Sequence, residues 1–189
     1  MTSRGKPSVG RVRIEPLSYE AHASEYLAGV RRSRRLHSRW VTPPLTEQEL
    51  QDYVKAREGP IAYGYAIRTY AGELAGIMNL NGIVRGLFQN AYLGYYAFAP
   101  HSSRGYMGEA LAKVLLLAFG PHRLHRVEAN IQPDNQASLA LVQRAGFRRE
   151  GYSKRYLKIG GRWRDHERWA ITVEEWQTRP RFGRGSRFR

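Results

Sequence analysis

The chain has 189 residues and no cysteine, which fits one domain and excludes disulfides, thiolate metal sites and a cysteine nucleophile. Thirty-one Lys and Arg against sixteen Asp and Glu leave a formal charge of +15, which favours anionic partners without choosing among nucleic acid, a ribosome surface, an acidic peptide or a phosphorylated cofactor. No apolar run reaches about 18 residues and the start, Met1-Thr2-Ser3-Arg4-Gly5-Lys6, is polar, so neither a membrane span nor a signal peptide is expected and a cytoplasmic location is the default.

Residues 1–10 read as a flexible lead. Val12 and Ile14 alternate with Arg11, Arg13 and Glu15, the pattern of a first strand. Ser18 caps a predicted helix from Tyr19 to about Leu36, whose end carries Arg31, Arg32, Arg34 and Arg35, cations that suit a helix C-terminus. Thr42-Pro43-Pro44 breaks the chain, and Thr46 with Glu49 forms a capping box opening a second helix to about Glu58. Three strands follow over 61–70, 74–81 and 91–98, with a loop over 82–90. A strongly apolar helix runs from about Tyr106 to Phe119 and Gly120-Pro121 stops it. A strand over 125–132, a helix from Asn135 to about Ala145 ended by Gly146, and a hairpin over 147–159 and 162–172 complete the order. This is a mixed α/β (α+β) layout with seven strands and about four helices. The expected units are a lead (1–10), a domain (11–176) and a basic Arg/Gly-rich tail (177–189) suited to phosphate contacts or to solubility alone.

The segment from Ala97 to Leu111 carries the chemistry. Small residues and glycine lie between a strand and an apolar helix, where unpaired amides and the helix dipole converge on a phosphate. Gly105 and Gly108 lack a Cβ and would let backbone approach a pyrophosphate, and Arg104 adds a charged donor. There is no G-x-x-x-x-G-K-[ST] and no G-x-G-x-x-G, so neither a P-loop nor a dinucleotide fingerprint is present. By itself the loop reads equally as a tight turn.

A second segment adds weight: Asn135 to Leu139, leading through Gln143 to Gly146-Phe147. Together, Arg104-Gly105-Tyr106-Met107-Gly108-Glu109-Ala110-Leu111 and Asn135-x-x-Ser138 before a helix ending in Gly146-Phe147 resemble the GNAT superfamily of N-acetyltransferases. Val84-Arg85-Gly86, Tyr92-Leu93-Gly94-Tyr95, His125-Arg126, Glu150-Gly151-Tyr152 and Trp163-Arg164-Asp165-His166 make the chain similar to the RimJ/RimL-type ribosomal-protein N-terminal acetyltransferases. The resemblance implies a splayed, mostly antiparallel mixed sheet, acetyl-CoA as cofactor, and acetyl transfer to an amine. It implies cofactor contacts at Phe98, Ala99, Ser103, Arg104, Gly105, Tyr106, Met107, Gly108, Asn135 and Ser138. The family's pyrophosphate pattern falls on Ser102 to Met107, with Ser102 in place of Gln/Arg and Met107 in place of Gly/Ala.

Direct attack by the amine is the implied reaction, because the chain has no cysteine to form an acyl-enzyme. An α-amine titrates near 7.7–8.0 and needs only a weak base, whereas a lysine near 10.4 needs more help. Glu128 and Asn130 share a strand face: Glu128 is a candidate base or an ion-pair partner of Arg126, and Asn130 stands where related N-terminal acetyltransferases have a glutamate. The slot of the family's tyrosine acid is Val142; Ser138 matches a serine that the RimJ/RimL-like branch sets against the leaving thiolate, or is simply a solvated first-turn serine. A backbone N–H near Phe98 and Ala99 is expected to polarise the thioester carbonyl. Tyr92, Tyr95 and Tyr96 read as core or sheet-face aromatics, one of which could line the acceptor cleft, and no metal ligand spacing occurs. Three acceptor readings stand open: a protein or peptide N-terminus, a small amine, and an RNA- or ribosome-binding role through the basic surface and tail. The oligomeric state is not encoded in any of these patterns.

Overall fold

The computed structural model describes residues 10–179, and the sequence expectations for 1–9 and for 180–189 lie outside it. The elements are β1 (Val12–Pro16), α1 (Tyr19–Arg32), α2 (Arg34–His37), α3 (Glu47–Lys55), β2 (Tyr63–Thr69), β3 (Leu74–Val84), β4 (Asn90–Ala97), α4 (Tyr106–Phe119), β5 (Arg126–Ile131), α5 (Gln136–Arg144), β6 (Arg148–Ile159), β7 (Arg162–Thr172) and α6 (Val173–Thr178). The seven strands form one sheet in the order β1-β2-β3-β4-β5-β7-β6. All neighbours are antiparallel except β4 and β5.

Local signals account for most element ends. Ser18 accepts the Ala21 amide at 3.2 Å, and Thr46 and Glu49 close a reciprocal capping box on α3. Two short helices exceed the four expected. Ser33 ends α1 four residues early: its hydroxyl returns to the Gly29 carbonyl at 2.6 Å and accepts the Ala99 amide at 2.9 Å, so the chain turns there and restarts as α2. α6 is opened by a second capping box, Thr172 with Glu175, a signal present in the sequence but missed. Its Trp176 ring lies 6.3 Å from Phe119, so the compact fold continues through the expected boundary at residue 176. The expected loop over 82–90 is shorter, because β3 runs on to Val84, which pairs with Asn90.

Two cores sandwich the sheet. On one face α4 presents Ala110, Leu111, Val114, Leu115 and Ala118, a stripe of helical period, against Met78, Leu80, Leu93 and Val127. On the other, Tyr26, Leu27 and Val30 of α1 and Leu50 and Val54 of α3 pack on Ala66, Ile77 and Phe98. No helix among the described residues is long and apolar enough to cross a membrane.

Candidate active site

The site begins where the parallel pair fails. β4 pairs with β5 from Asn90–Arg126 to Tyr92–Glu128, while β5 continues alone beside β7 to Ile131. Beyond Tyr92 the two strands part. The Phe98 amide donates to Ala75 of β3 at 2.8 Å, so alternation along β4 turns the N–H groups of Tyr95 and Ala97 away from β3 and into the gap. The expectation of an oxyanion donor at Phe98 or Ala99 is therefore corrected. The Phe98 amide is spent in the sheet and the Ala99 amide on Ser33 Oγ, so the amides facing the gap are those of Tyr95 and Ala97.

The end of α2 and the segment after it close the gap's far end. His37 Nε2 donates to the Ala97 carbonyl at 2.8 Å, and Gln132 Nε2, just past β5, donates to the Arg39 carbonyl at 3.2 Å. Burial lowers the His37 pKa, so its ring is neutral near pH 7.

The loop from Phe98 to Tyr106 leads from the gap into α4. Ser103 and Gly105 take positive φ angles of 60° and 81°, and Gly105 is the helix N-cap. The amides of Ser102 to Met107 have no acceptor among the described residues, whereas those of Gly108 and Glu109 bond to the Gly105 carbonyl. A run of unengaged amides on a fourteen-residue helix fits a pyrophosphate. The glycines act differently from expectation. A Cβ on Gly105 would meet the Arg11 guanidinium at 2.8 Å, and one on Gly108 would face Leu141 of α5 at 3.7 Å. Gly105 is thus needed for its left-handed backbone, with Arg11 packed against it, while at Gly108 a Cβ would make only an ordinary contact with Leu141. Arg11 escaped the sequence reading: its Nε and amide both bind Glu109, at 2.5 and 2.7 Å, placing a second cation beside exposed Arg104. Met107, bulkier than the family's Gly/Ala, fits because its sulfur lies against Gly76, where a Cβ would come within 3.0 Å of it.

Asn135 caps α5 by accepting the Ser138 amide at 3.2 Å. Ser138 is half-buried, its carbonyl accepts from the Tyr95 hydroxyl at 3.3 Å, and its own hydroxyl has no partner among the described residues. Burial pushes the Tyr95 phenol up to about 12 and that of Tyr96 well above its ordinary value, so both remain protonated donors rather than bases. Val142 is wholly buried.

Glu128 and Asn130 project from the face of β5 opposite Val127, Ala129 and Ile131, on the side of α1 and α3. Glu128 binds Arg126 Nε at 2.9 Å, and the same guanidinium holds Glu150, so the carboxylate is engaged in an ion-pair chain. The Asn130 Oδ1 is buried without a partner. The chain thus places the amide-rich loop, Asn135, Ser138 and the α4–α5 core on one face of the gap, and Glu128, Asn130, Tyr92 and Tyr96 on the other.

Comparison with known proteins identifies the family. The family described as an acetyltransferase (GNAT) domain matches residues 11–148. A probable N-acetyltransferase, YjcK, of Bacillus subtilis (strain 168) is 35% identical over 125 residues, 66% of this chain and 69% of that protein. The [ribosomal protein uS5]-alanine N-acetyltransferase of Escherichia coli (strain K12) is 40% identical over 104 residues, 55% of this chain and only 54% of that protein. Among solved structures, Mycobacterium smegmatis RimJ in complex with CoA-disulfide superposes with a TM-score of 0.80 at 26% identity, covering 87% of this chain and 83% of that one.

Proposed function

The chain belongs to the GNAT acetyltransferase family and is an acyltransferase using acetyl-CoA, and from that premise we propose that its acceptor is the N-terminal α-amine of a protein, a ribosomal protein being the leading candidate. The observation that carries this reading is the engagement of Glu128. The one candidate base, Glu128, is held by Arg126, and the slots of the family's glutamate and tyrosine carry the amide Asn130 and the aliphatic Val142. A site so poor in bases suits an α-amine, a sizeable fraction of which is neutral near pH 7.5, better than a lysine, which is about 0.1% neutral at that pH. The alanine N-acetyltransferase activity named for the Escherichia coli relative supports the same acceptor class.

The thioester supplies an activated acyl carbon. The amides of Ser102 to Met107, with Arg104 and Arg11, would hold the cofactor's pyrophosphate. The N–H groups of Tyr95 and Ala97 stand in the gap as donors to an acyl oxygen carrying developing charge, fixed in place before reaction and therefore free of reorganisation cost. Ser138 offers an unengaged hydroxyl to the departing sulfur. Asn130 orients the amine or the water that takes its proton.

Thiol release from acetyl-CoA tests the proposal, using peptides with free Ala or Ser N-termini, lysine peptides with blocked N-termini, and small amines. Turnover confined to free N-terminal peptides is expected. Turnover confined to small amines or lysine peptides would refute it.

A further inference from the structure

The mouth of the gap is spanned by the chain that follows α1. At one end Ser33 Oγ accepts the Ala99 amide at 2.9 Å and His37 donates to the Ala97 carbonyl at 2.8 Å, both at the end of β4. At the other end the Arg39 carbonyl accepts from Gln132, just past β5, at 3.2 Å. Residues 33–39 therefore bridge the two strands where they part, on the face of α1 and α3 and opposite the amide-rich loop.

Ser33 and His37, which hold the bridge, are buried, whereas Arg34, Arg35 and Arg39 are exposed. Arg31 and Arg32 close α1, where cations suit the helix dipole. Arg34 and Arg35 open α2, a single turn, and no dipole accounts for them.

A further cation stands across β5. Arg168 of β7 pairs with Asn130, so it lies on the same face, and it too is exposed. Its partner on β6 is Gly151, where a Cβ would come within 2.6 Å of the guanidinium. The missing side chain in Glu150-Gly151-Tyr152 thus gives Arg168 its seat.

These cations differ from their neighbours in lacking anions. Arg126, Arg148 and Arg149 on β5 and β6 are each paired with a glutamate. Among the described residues no carboxylate lies within ion-pair distance of Arg34, Arg35 or Arg168, and Arg39 meets only Asp134, at 3.8 Å with the side chains 71% and 82% exposed. Glu128, the carboxylate beside the gap, is already held by Arg126.

We propose that Arg34, Arg35, Arg39 and Arg168 select acceptors whose N-terminal segment carries carboxylates. This rests on the α-amine reading above. With the α-amine at the thioester, the next residues of an extended acceptor, about 3.3 Å each, cross the mouth of the gap. At about 0.15 M salt charges are felt over about 8 Å, so acidic side chains on those residues are drawn to the four arginines and lysines there are repelled. RNA offers the same negative charge, but it has no α-amine to bring into the gap, and the arginines stand where the amine must pass. Single exposed ion pairs are weak, so the selection belongs to the set and fades with salt.

The test is steady-state kinetics of the full chain with peptides that share an N-terminal Ala and differ in the residues that follow it: Asp-Glu, Ser-Gly or Lys-Lys. The proteins are the wild type, Arg34→Glu combined with Arg35→Glu, and Arg168→Gln, with Tm as the check on folding. The wild type should favour the acidic peptide over the basic one about tenfold or more in kcat/KM, through KM, at about 20 mM salt, and the preference should shrink severalfold at about 0.5 M. The double substitution should cut that ratio about tenfold and Arg168→Gln about threefold, with the Ser-Gly peptide changed least. A wild type without preference, or a ratio that the variants leave unaltered, overturns the selection and leaves the α-amine reading standing. An unaltered ratio together with lost binding of a single-stranded oligouridylate in the double variant gives the cations to RNA and likewise overturns it. Turnover of n-propylamine with every peptide silent overturns both.

Discussion

His37 donates from Nε2 to the carbonyl of Ala97, 60 residues later, at 2.8 Å, and this bond joins the end of α2 to the end of β4 at the mouth of the gap. The ring is buried, its pKa lies below the ordinary value because of that burial, and its Nδ1 has no partner among the described residues.

Stability should therefore fall on mild acidification. His37, His122 and His166 all have lowered folded-state values through burial, so as pH drops below about 6.5 the unfolded chain takes protons that the native chain refuses. The loss begins near that pH and is complete once pH passes the folded values; Glu15, Glu150 and Glu175, whose values are lowered, add theirs only below about 4.5. His37→Gln keeps a donor for Ala97 and should make the fall in Tm between pH 7.5 and 5 shallower. Equal slopes for the two proteins would remove His37 from this account.

Gly105→Val should weaken CoA binding about tenfold or more. A β-branched residue at φ 81° is strained, and its Cβ would displace the Arg11 guanidinium, now 2.8 Å away, from its place beside Glu109. Calorimetric titration with CoA measures this. Wild-type affinity would mean that the Ser102–Met107 amides do not hold the pyrophosphate.

Glu128→Gln should act on stability more than on chemistry. The carboxylate shares the Arg126 guanidinium with Glu150, so its loss should lower Tm by about 2–4 °C, with kcat changed less than about tenfold and the shape of the pH–rate profile retained. A hundredfold fall in kcat together with loss of the acidic limb would make Glu128 the base.

Ser138→Ala should lower kcat about tenfold, the equivalent of one moderate hydrogen bond to the leaving sulfur, with little change in the KM for acetyl-CoA. The Asn135 cap uses the Ser138 backbone amide and not its hydroxyl, so α5 is retained. An unaltered kcat would reduce Ser138 to a helix residue.

Some of this is legible in one dimension. The bounds of α4, the caps at Ser18, Thr46 and Asn135, and the closing hairpin follow from periodicity and local hydrogen bonds, which act within a few residues of chain. α2 could not be read, because Ser33 breaks the helix through Ala99, 66 residues away. α6 could have been, since Thr172 and Glu175 spell its cap.

The site divides along the same line. Sequence by itself determined the seven-stranded fold and the local structure of the Arg104–Gly105 loop and the Asn135 cap, and it proposed them with Ser138 as site residues, because each rests on local backbone chemistry or on motif spacing. Only the tertiary structure decided which β4 amides face the gap, since a one-residue change of register swaps every N–H between the two sides of a strand. It alone bound Glu128 to Arg126, fitted Met107 against Gly76, and seated the Arg168 guanidinium on Gly151. Those relations join residues up to dozens of positions apart, and what creates them is strand pairing across the sheet.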